Sequence, residues 1–346
     1  MTTQIDYSVG MSAETAYGTA VAPSRFFETE FKFKNSIGRV QGKGTRPTRS
    51  VNRLNRNVLS RYEASGEQEI EVNTSGFGML LKAVLGDATS TKIGTTNGYQ
   101  QVHTLTKNDP LGSYTIQGVL PYLGGVSLSP HTFVGCMANG IAFDAKEGEI
   151  LTAKIDWLAK EMLTNVAPAA ASYPAVSDLF TFTGGEIVIG GNLTVPTTTA
   201  LAVSAGGLAA GAVVSASVSL SNDLDKGGYN LGGGGKRMRP NALGHRSITG
   251  KMKVEYTNDD LRDVYLAQTD VSIVLTFKSF RSLGNDGTAA VLPTLQIVLP
   301  YVLLKGDVPQ SNGGAPIEID IDFEAFDKDG TAQPIYIVYR TADTAI

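Results

Sequence analysis

The stretch Ile116-Gln117-Gly118-Val119-Leu120-Pro121-Tyr122 recurs late in the chain as Leu295-Gln296-Ile297-Val298-Leu299-Pro300-Tyr301. Both copies are apolar, rich in β-branched and aromatic residues, and carry Gln and Pro at matching places. Each therefore reads as a strand that leaves its sheet at a proline unable to donate to the ladder. Either the match is a coincidence or the chain is a tandem duplication, and a duplication requires other landmarks to recur in the same order.

Four more landmarks do. Arg46-Pro47 returns as Arg239-Pro240, and Ser65-Gly66 before a charged strand returns as Thr249-Gly250 before Lys251-Met252-Lys253-Val254-Glu255. A short helix expected over 75–86, with apolar residues at helical spacing and a glycine stop, returns at 258–266 with Asp259 and Asp260 where the helix dipole favours acids. Ile155-Asp156-Trp157 returns as Ile321-Asp322-Phe323. The offset falls from 193 at Arg239 to 166 at Ile321, as loop-length changes would make it. The expected unit runs strand, basic loop, strand, helix, three strands, in two copies of roughly 150 residues each.

Composition agrees with a β protein. Charged residues are only 18% of the chain, there are 39 glycines, and one Trp is present, which suits many turns better than a helix bundle. A net charge of −4 gives no general affinity for a polyanion, so partners must be argued locally. Cys136 is the one cysteine; it rules out an intrachain disulfide, and its apolar neighbours make it a small core residue. The first residues have neither the basic start nor the apolar run of a secretory signal, and no segment reaches the ~18 apolar residues that span a bilayer.

In chain order, residues 7–25 are expected to form an extended arm, and 26–34 a half-buried strand. Residues 42–62 form a basic loop or long hairpin carrying Lys43, Arg46, Arg49, Arg53, Arg56 and Arg61 with almost no acid. Strands follow at 114–122, 132–143 and 149–158, then a linker at 166–177, a hairpin at 179–191 around Gly184-Gly185, and a low-complexity insertion at 194–216. The domain expectation is a first unit over 1–165 and a second over 178–346.

Catalytic and metal signals are missing from this sequence. Leu231-Gly232-Gly233-Gly234-Gly235-Lys236-Arg237 has Asn230 where a phosphate-binding loop needs its first Gly, and Arg237 where it needs Ser or Thr. Asp327-Lys328-Asp329-Gly330 starts like a calcium loop, but its glycine comes two positions early and no acid closes twelve residues. His103, His131 and His245 lack partners at zinc spacing, and no Gly-x-Ser-x-Gly elbow occurs. No cofactor, no metal and no enzymatic activity are expected.

Several segments resemble the tail tube (major tail) proteins of long-tailed, non-contractile bacteriophages, in particular the version found among phages of actinobacteria. They are Glu14-Thr-Ala-Tyr17-Gly18-Thr-Ala-Val-Ala-Pro23, Gly44-Thr-Arg46-Pro47, Gly76-Phe77-Gly78-Met-Leu-Leu81-Lys, Phe133-Val134-Gly135-Cys136 and Ser219-Leu220-Ser221-Asn222. Together these segments cover most of the chain. The resemblance implies a mainly β fold of two tandem β-sandwich or partly closed barrel units, each with a short flanking helix. It implies six units around a lumen through which DNA passes, with rings stacked into a tube inside the virion. With the unit duplicated, three chains would supply the six, a pseudo-hexamer, with a hexamer of whole chains as the alternative. Its other implied partners are the tape measure, tail terminator and distal tail proteins, with assembly in the host cytoplasm and no membrane. A tube of a contractile or secretion-like system, or a β-rich carbohydrate-binding or adhesin module, are the alternatives; the last is poorly served by a single Trp.

A lumen must let a polyanion slide without sticking, since each Lys or Arg that neutralises a phosphate adds affinity by counterion release. The acidic rows Glu67, Glu69, Glu71 and Glu318, Asp320, Asp322, Glu324 each share one strand face by the period of two. The second is the better lumen candidate, because Lys251 and Lys253 stand where the first row has Glu67 and Glu69. The basic segment from Lys43 to Arg61, with its counterpart Lys236, Arg237, Arg239 and Arg246, lacks interleaved aromatics for nucleic acid. It is expected to reach an acidic patch on a neighbouring ring, where charge pairs steer register.

Overall fold

A computed structural model describes residues 6–48, 50–122, 127–175, 177–208, 212–287, 289–306, 308–310, 313–314, 317–328, 330 and 332–346. The first part of the chain forms β1 (Ser8–Ala13), β2 (Arg25–Phe27), β3 (Lys32–Gln41), β4 (Asn57–Glu71), α1 (Gly78–Leu85), β5 (Gly86–Lys92), β6 (Tyr99–Leu105), β7 (Tyr114–Pro121), β8 (Leu128–Ala145), β9 (Thr152–Ala159) and β10 (Glu161–Leu163). The second forms β11 (Gly185–Ile189), β12 (Asn192–Thr194), β13 (Val203–Ala205), β14 (Val213–Ser221), β15 (Ser247–Glu255), α2 (Asp260–Ala267), β16 (Val271–Lys278), β17 (Gly284–Asn285), β18 (Ala290–Val291), β19 (Thr294–Lys305), β20 (Glu318–Ala325) and β21 (Tyr336–Thr341). The fold is mainly β with two short helices, layered as a sandwich and not closed into a barrel.

Antiparallel pairing runs β1–β7–β8–β9–β4–β3 in the first part and β11–β16–β19–β20–β15–β14 in the second. The two ladders thus have the same order, with a helix after β4 and after β15. Gly66 opposite Trp157 and Gly250 opposite Phe323 fall at matching rungs. β8 joins the two ladders. One side of it pairs with β9 and β10; the other pairs first with β7 and then, over Gly140–Ala145, with β14. The register shifts where β7 gives way to β14, and Gly135 sits beside the shift at φ 62°, with Tyr17 and Lys160 too close to admit a side chain. A second junction pairs β21 with β6.

The alternation of each strand separates two faces. Ile155 and Trp157 on β9, Ile141 and Phe143 on β8, Val218 and Leu220 on β14, Met252 and Val254 on β15 and Phe323 on β20 all enter one apolar core with Val9 and Met11 of β1 and Ile273 and Leu275 of β16. Burial of this kind, at ~25 cal/mol per Å² of apolar surface, is the main stabilising term.

Several sequence expectations change. The two heptapeptide copies are not equivalent: Ile116 lies in β7, whose counterpart in pairing order is β16, whereas Leu295 lies in β19, the counterpart of β8. Pro121 does end its strand, but Pro300 sits inside β19, beside the register shift opposite Val271–Ile273, where a missing N–H is tolerated. The start of the expected arm, Ser8–Ala13, is a packed strand, because Val9 and Met11 are fully buried while β1 pairs with β7; residues 14–24 remain without regular structure. No hairpin forms over 179–191; β11 pairs with β16 instead. The low-complexity stretch holds the small hairpin β12–β13 and, from Val213, the start of β14.

Candidate functional site

The eight strands β3, β4, β9, β8, β14, β15, β20 and β19 lie side by side in that order. The face opposite the core is largely polar, with Ala142 of β8 and Leu303 of β19 as apolar positions on it. Glu67, Glu69 and Glu71 project from β4, and Glu318, Asp320, Asp322 and Glu324 from β20, all exposed or half-exposed. Directly opposed residues in an antiparallel pair share a face, so the pairings place both rows on one surface.

Lysines stand beside both rows. Lys32 on β3 lies opposite Glu67 and comes 3.9 Å from Glu69, and Lys154 on β9 lies opposite Glu69 and comes 2.7 Å from Glu67. Across the second row, Lys251 reaches Asp320 at 3.3 Å, Lys253 pairs with Glu318, and Lys305 of β19 pairs with Glu324. Lys251 and Lys253 therefore neighbour the second row, not the first, and the contrast drawn between the rows from sequence position disappears. The hydrogen bond and charge of Lys154 hold the Glu67 carboxyl below its usual range, and Glu318 raises Lys253. Partial burial pushes Asp156, opposite Glu67, upward.

Asp144, Asp156 and Glu255 belong to the same surface and were missed by reading rows one strand at a time. The signal for Asp156 was the alternation Thr152, Lys154, Asp156 against Ala153, Ile155, Trp157. With Lys34 included, ten carboxylates face six lysines from Ser65 across to β19 among the described residues. The surface is a charge-paired lattice with an acidic surplus.

The basic segment is the far end of the β3–β4 hairpin. Lys43, Arg46, Arg53 and Arg56 are on or beside its tip and Arg61 is on its return strand, while Arg49 lies outside the described residues. Val51 and Leu54 are 78% and 88% exposed there, so the tip offers apolar surface as well as charge. Its counterpart, the loop between β14 and β15, is laid onto the first part of the chain. Arg237 is 4% exposed and donates to the Ala159 and Gly227 carbonyls, Lys236 pairs with Glu161, and Arg239 pairs with Asp225. Those three cations are held within the chain.

Among the described residues no group of His, Cys, Asp and Glu could hold a metal ion, and no helix is long and apolar enough to cross a membrane. The single Trp is buried, and burial pushes the Cys136 thiol well up. The two candidate surfaces are the broad polar sheet face and the exposed tip of the β3–β4 hairpin.

A search among curated proteins gives no match to the chain. The family described as phage tail tube protein matches residues 6–325, nearly the whole chain, which makes it a structural component of the virion: the protein belongs to the phage tail tube protein family.

Proposed function

We propose that the chain is a tandem repeat of one tube unit, from a non-contractile tail of the actinobacteriophage kind, and that three copies close a ring around the DNA path. The observation carrying this is the eight-strand sheet, built as two sets of four in the same order, β3–β4–β9–β8 and β14–β15–β20–β19. Each set has the same polar face, so three chains would present six equivalent sets to one lumen.

On this reading Glu67, Glu69, Glu71, Glu318, Asp320, Asp322 and Glu324 line the channel. Pairing with Lys32, Lys154, Lys251, Lys253 and Lys305 engages the cations, so the counterion-release affinity that free lysines would give DNA stays small. The work is mechanical, without catalysis: the tube assembles in the host cytoplasm with the tape measure, terminator and distal tail proteins, and DNA transits without specific binding.

The hairpin tip, with Lys43, Arg46, Arg53, Arg56 and Arg61, contacts a neighbouring ring; with Arg49 it forms the basic set whose register charge pairing steers. Electron microscopy of the purified chain under assembly conditions should show rings or tubes with a central channel, and dispersed monomers at high concentration would count against the reading. Reversing charge at Arg49, Arg53 and Arg56 together should leave the fold intact and stop elongation. Tubes of normal length from that variant would remove the hairpin from the contact.

A further inference from the structure

The two basic segments that match as counterparts touch each other. β9 pairs with β4 only as far as Ala159, opposite Ala64. Two residues further along the hairpin, the Tyr62 N–H donates to the Gly235 carbonyl at 2.8 Å, so the Gly-rich loop between β14 and β15 takes over the edge that β9 has left. The Tyr229 hydroxyl donates to the Tyr62 carbonyl at 3.0 Å, and the guanidinium carbons of Arg61 and Arg237 lie over the Tyr229 ring, 5.7 and 5.5 Å from its centre. From Arg61 outward, β4 pairs with β3 alone among the described residues.

The loop is itself anchored to the body. A bridge between Tyr229 and Arg237, with the bond from the Met238 N–H to the Gly228 carbonyl, closes it into a tight turn. Buried Arg237 donates to the carbonyls of Lys226 and Gly227, and at 2.7 Å to that of Ala159, the last residue of β9. Lys236 pairs with Glu161 of β10. The loop is thus a wedge, with one side on the end of β9 and on β10 and the other on the root of the hairpin. That root is where β3 and β4 shift register: Gly38 lies opposite Arg61 and Arg39 opposite Leu59, leaving Ser60 in excess. An extra residue bends and twists its strand. Gly235, at φ 75°, lies against this bulge, and a Cβ there would stand 3.2 Å from the Ser60 carbonyl oxygen and from Arg61 Cα. A two-stranded ribbon is only marginally stable alone, so with a bulge at its root its direction is set by what packs there.

We infer that the Gly-rich loop is a brace that positions the hairpin, fixing the angle at which Lys43, Arg46, Arg53 and Arg56 leave the body. This rests on the reading of the hairpin as a contact with a neighbouring ring and deepens it: one basic segment makes the contact, and its counterpart in the second half holds it in place. A tip held this way meets its partner without first losing the freedom of a swinging hairpin. The run of glycines is there for a close approach of backbones, which explains why it resembles a phosphate-binding loop without the residues that would bind one.

Spin labels on Thr45→Cys at the tip and Lys82→Cys on α1 read the angle in the full, unassembled chain; both positions are exposed, and fully buried Cys136 stays unlabelled. With the brace intact the pair should give one narrow distance. Tyr229→Ala should lose it for a broad distribution, as should Lys236→Glu, and adding Glu161→Lys to the latter should bring the narrow distance back. These changes leave the cations of the tip untouched. In Tyr229→Ala the Tyr62 amide should exchange about tenfold faster while the β4 amides paired with β9 keep their protection, which separates a loosened hairpin from a lost fold. Tube elongation should slow by about tenfold in both loosened variants and recover with the charge swap. A narrow distance in folded Tyr229→Ala and Lys236→Glu, or no recovery on swapping the charges, would overturn the brace and leave the ring contact standing. A broad distribution in chains whose tubes grow at the normal rate would uphold the brace and overturn the ring contact. If Tyr229→Ala does not fold, the charge swap decides alone.

Discussion

α1 and α2 follow matching strands, yet six of the eight residues of α1 are buried while α2 buries Leu261 alone. The difference lies in what covers them. Over α1, the second half of the chain brings Asn222, whose Nδ2 donates to the Val84 and Ala138 carbonyls, and Arg246, which donates to the Thr106 carbonyl just beyond β6. No such cover lies over α2 among the described residues, and its sequence is acidic and exposed, with Arg262 tied to Asp259 and Asp263. A helix takes the composition its surroundings demand. The second half of the chain covers α1, and among the described residues the first half gives α2 no matching cover.

The largest expected effect is at the covered helix. Leu81→Ala removes a fully buried side chain and should cost about 2–5 kcal/mol in denaturant unfolding. A loss near zero would mean that α1 is not the interior element described. Asn222→Ala should cost about 1–3 kcal/mol, since it leaves two buried carbonyls without their donor; an unchanged midpoint would detach the second half from the cover of α1.

His103, on β6 where it pairs with β21, is buried with neither ring nitrogen partnered. Burial, with a smaller contribution from Lys82, pulls its pKa from 6.5 to about 3. The unfolded chain therefore binds this proton first. Stability should be complete above pH ~6.5 and fall by up to about 1.4 kcal/mol per unit between there and pH ~3, and His103→Gln should flatten that part of the profile. The smallest effect belongs to the uncovered helix: Leu266, 61% exposed, should tolerate Ala within about 0.5 kcal/mol in the monomer.

The sequence made the local elements legible because their causes are local. Apolar spacing and a glycine stop mark α1, and alternation marks β9 and β20, placing Trp157 and Phe323 at matching rungs. Partnership between strands is non-local and was read less well. Gln and Pro recur at 117 and 121 and at 296 and 300, yet they fall in strands with different neighbours. β1 carries small residues, Ser8, Gly10 and Ser12, which resemble a loose arm until β7 is known to lie beside them. The lysines flanking the acidic rows come from adjacent strands distant in sequence, so no row taken alone reveals its neutralising partners.

The junction of β8 with β14 forms within a single polypeptide. Its two strands meet at an effective concentration set by the intervening chain and not by the number of molecules present. Dilution can therefore dissolve contacts between copies but not this one, and a disassembled tube should come apart into pieces that still hold their eight strands in order, ready to rejoin.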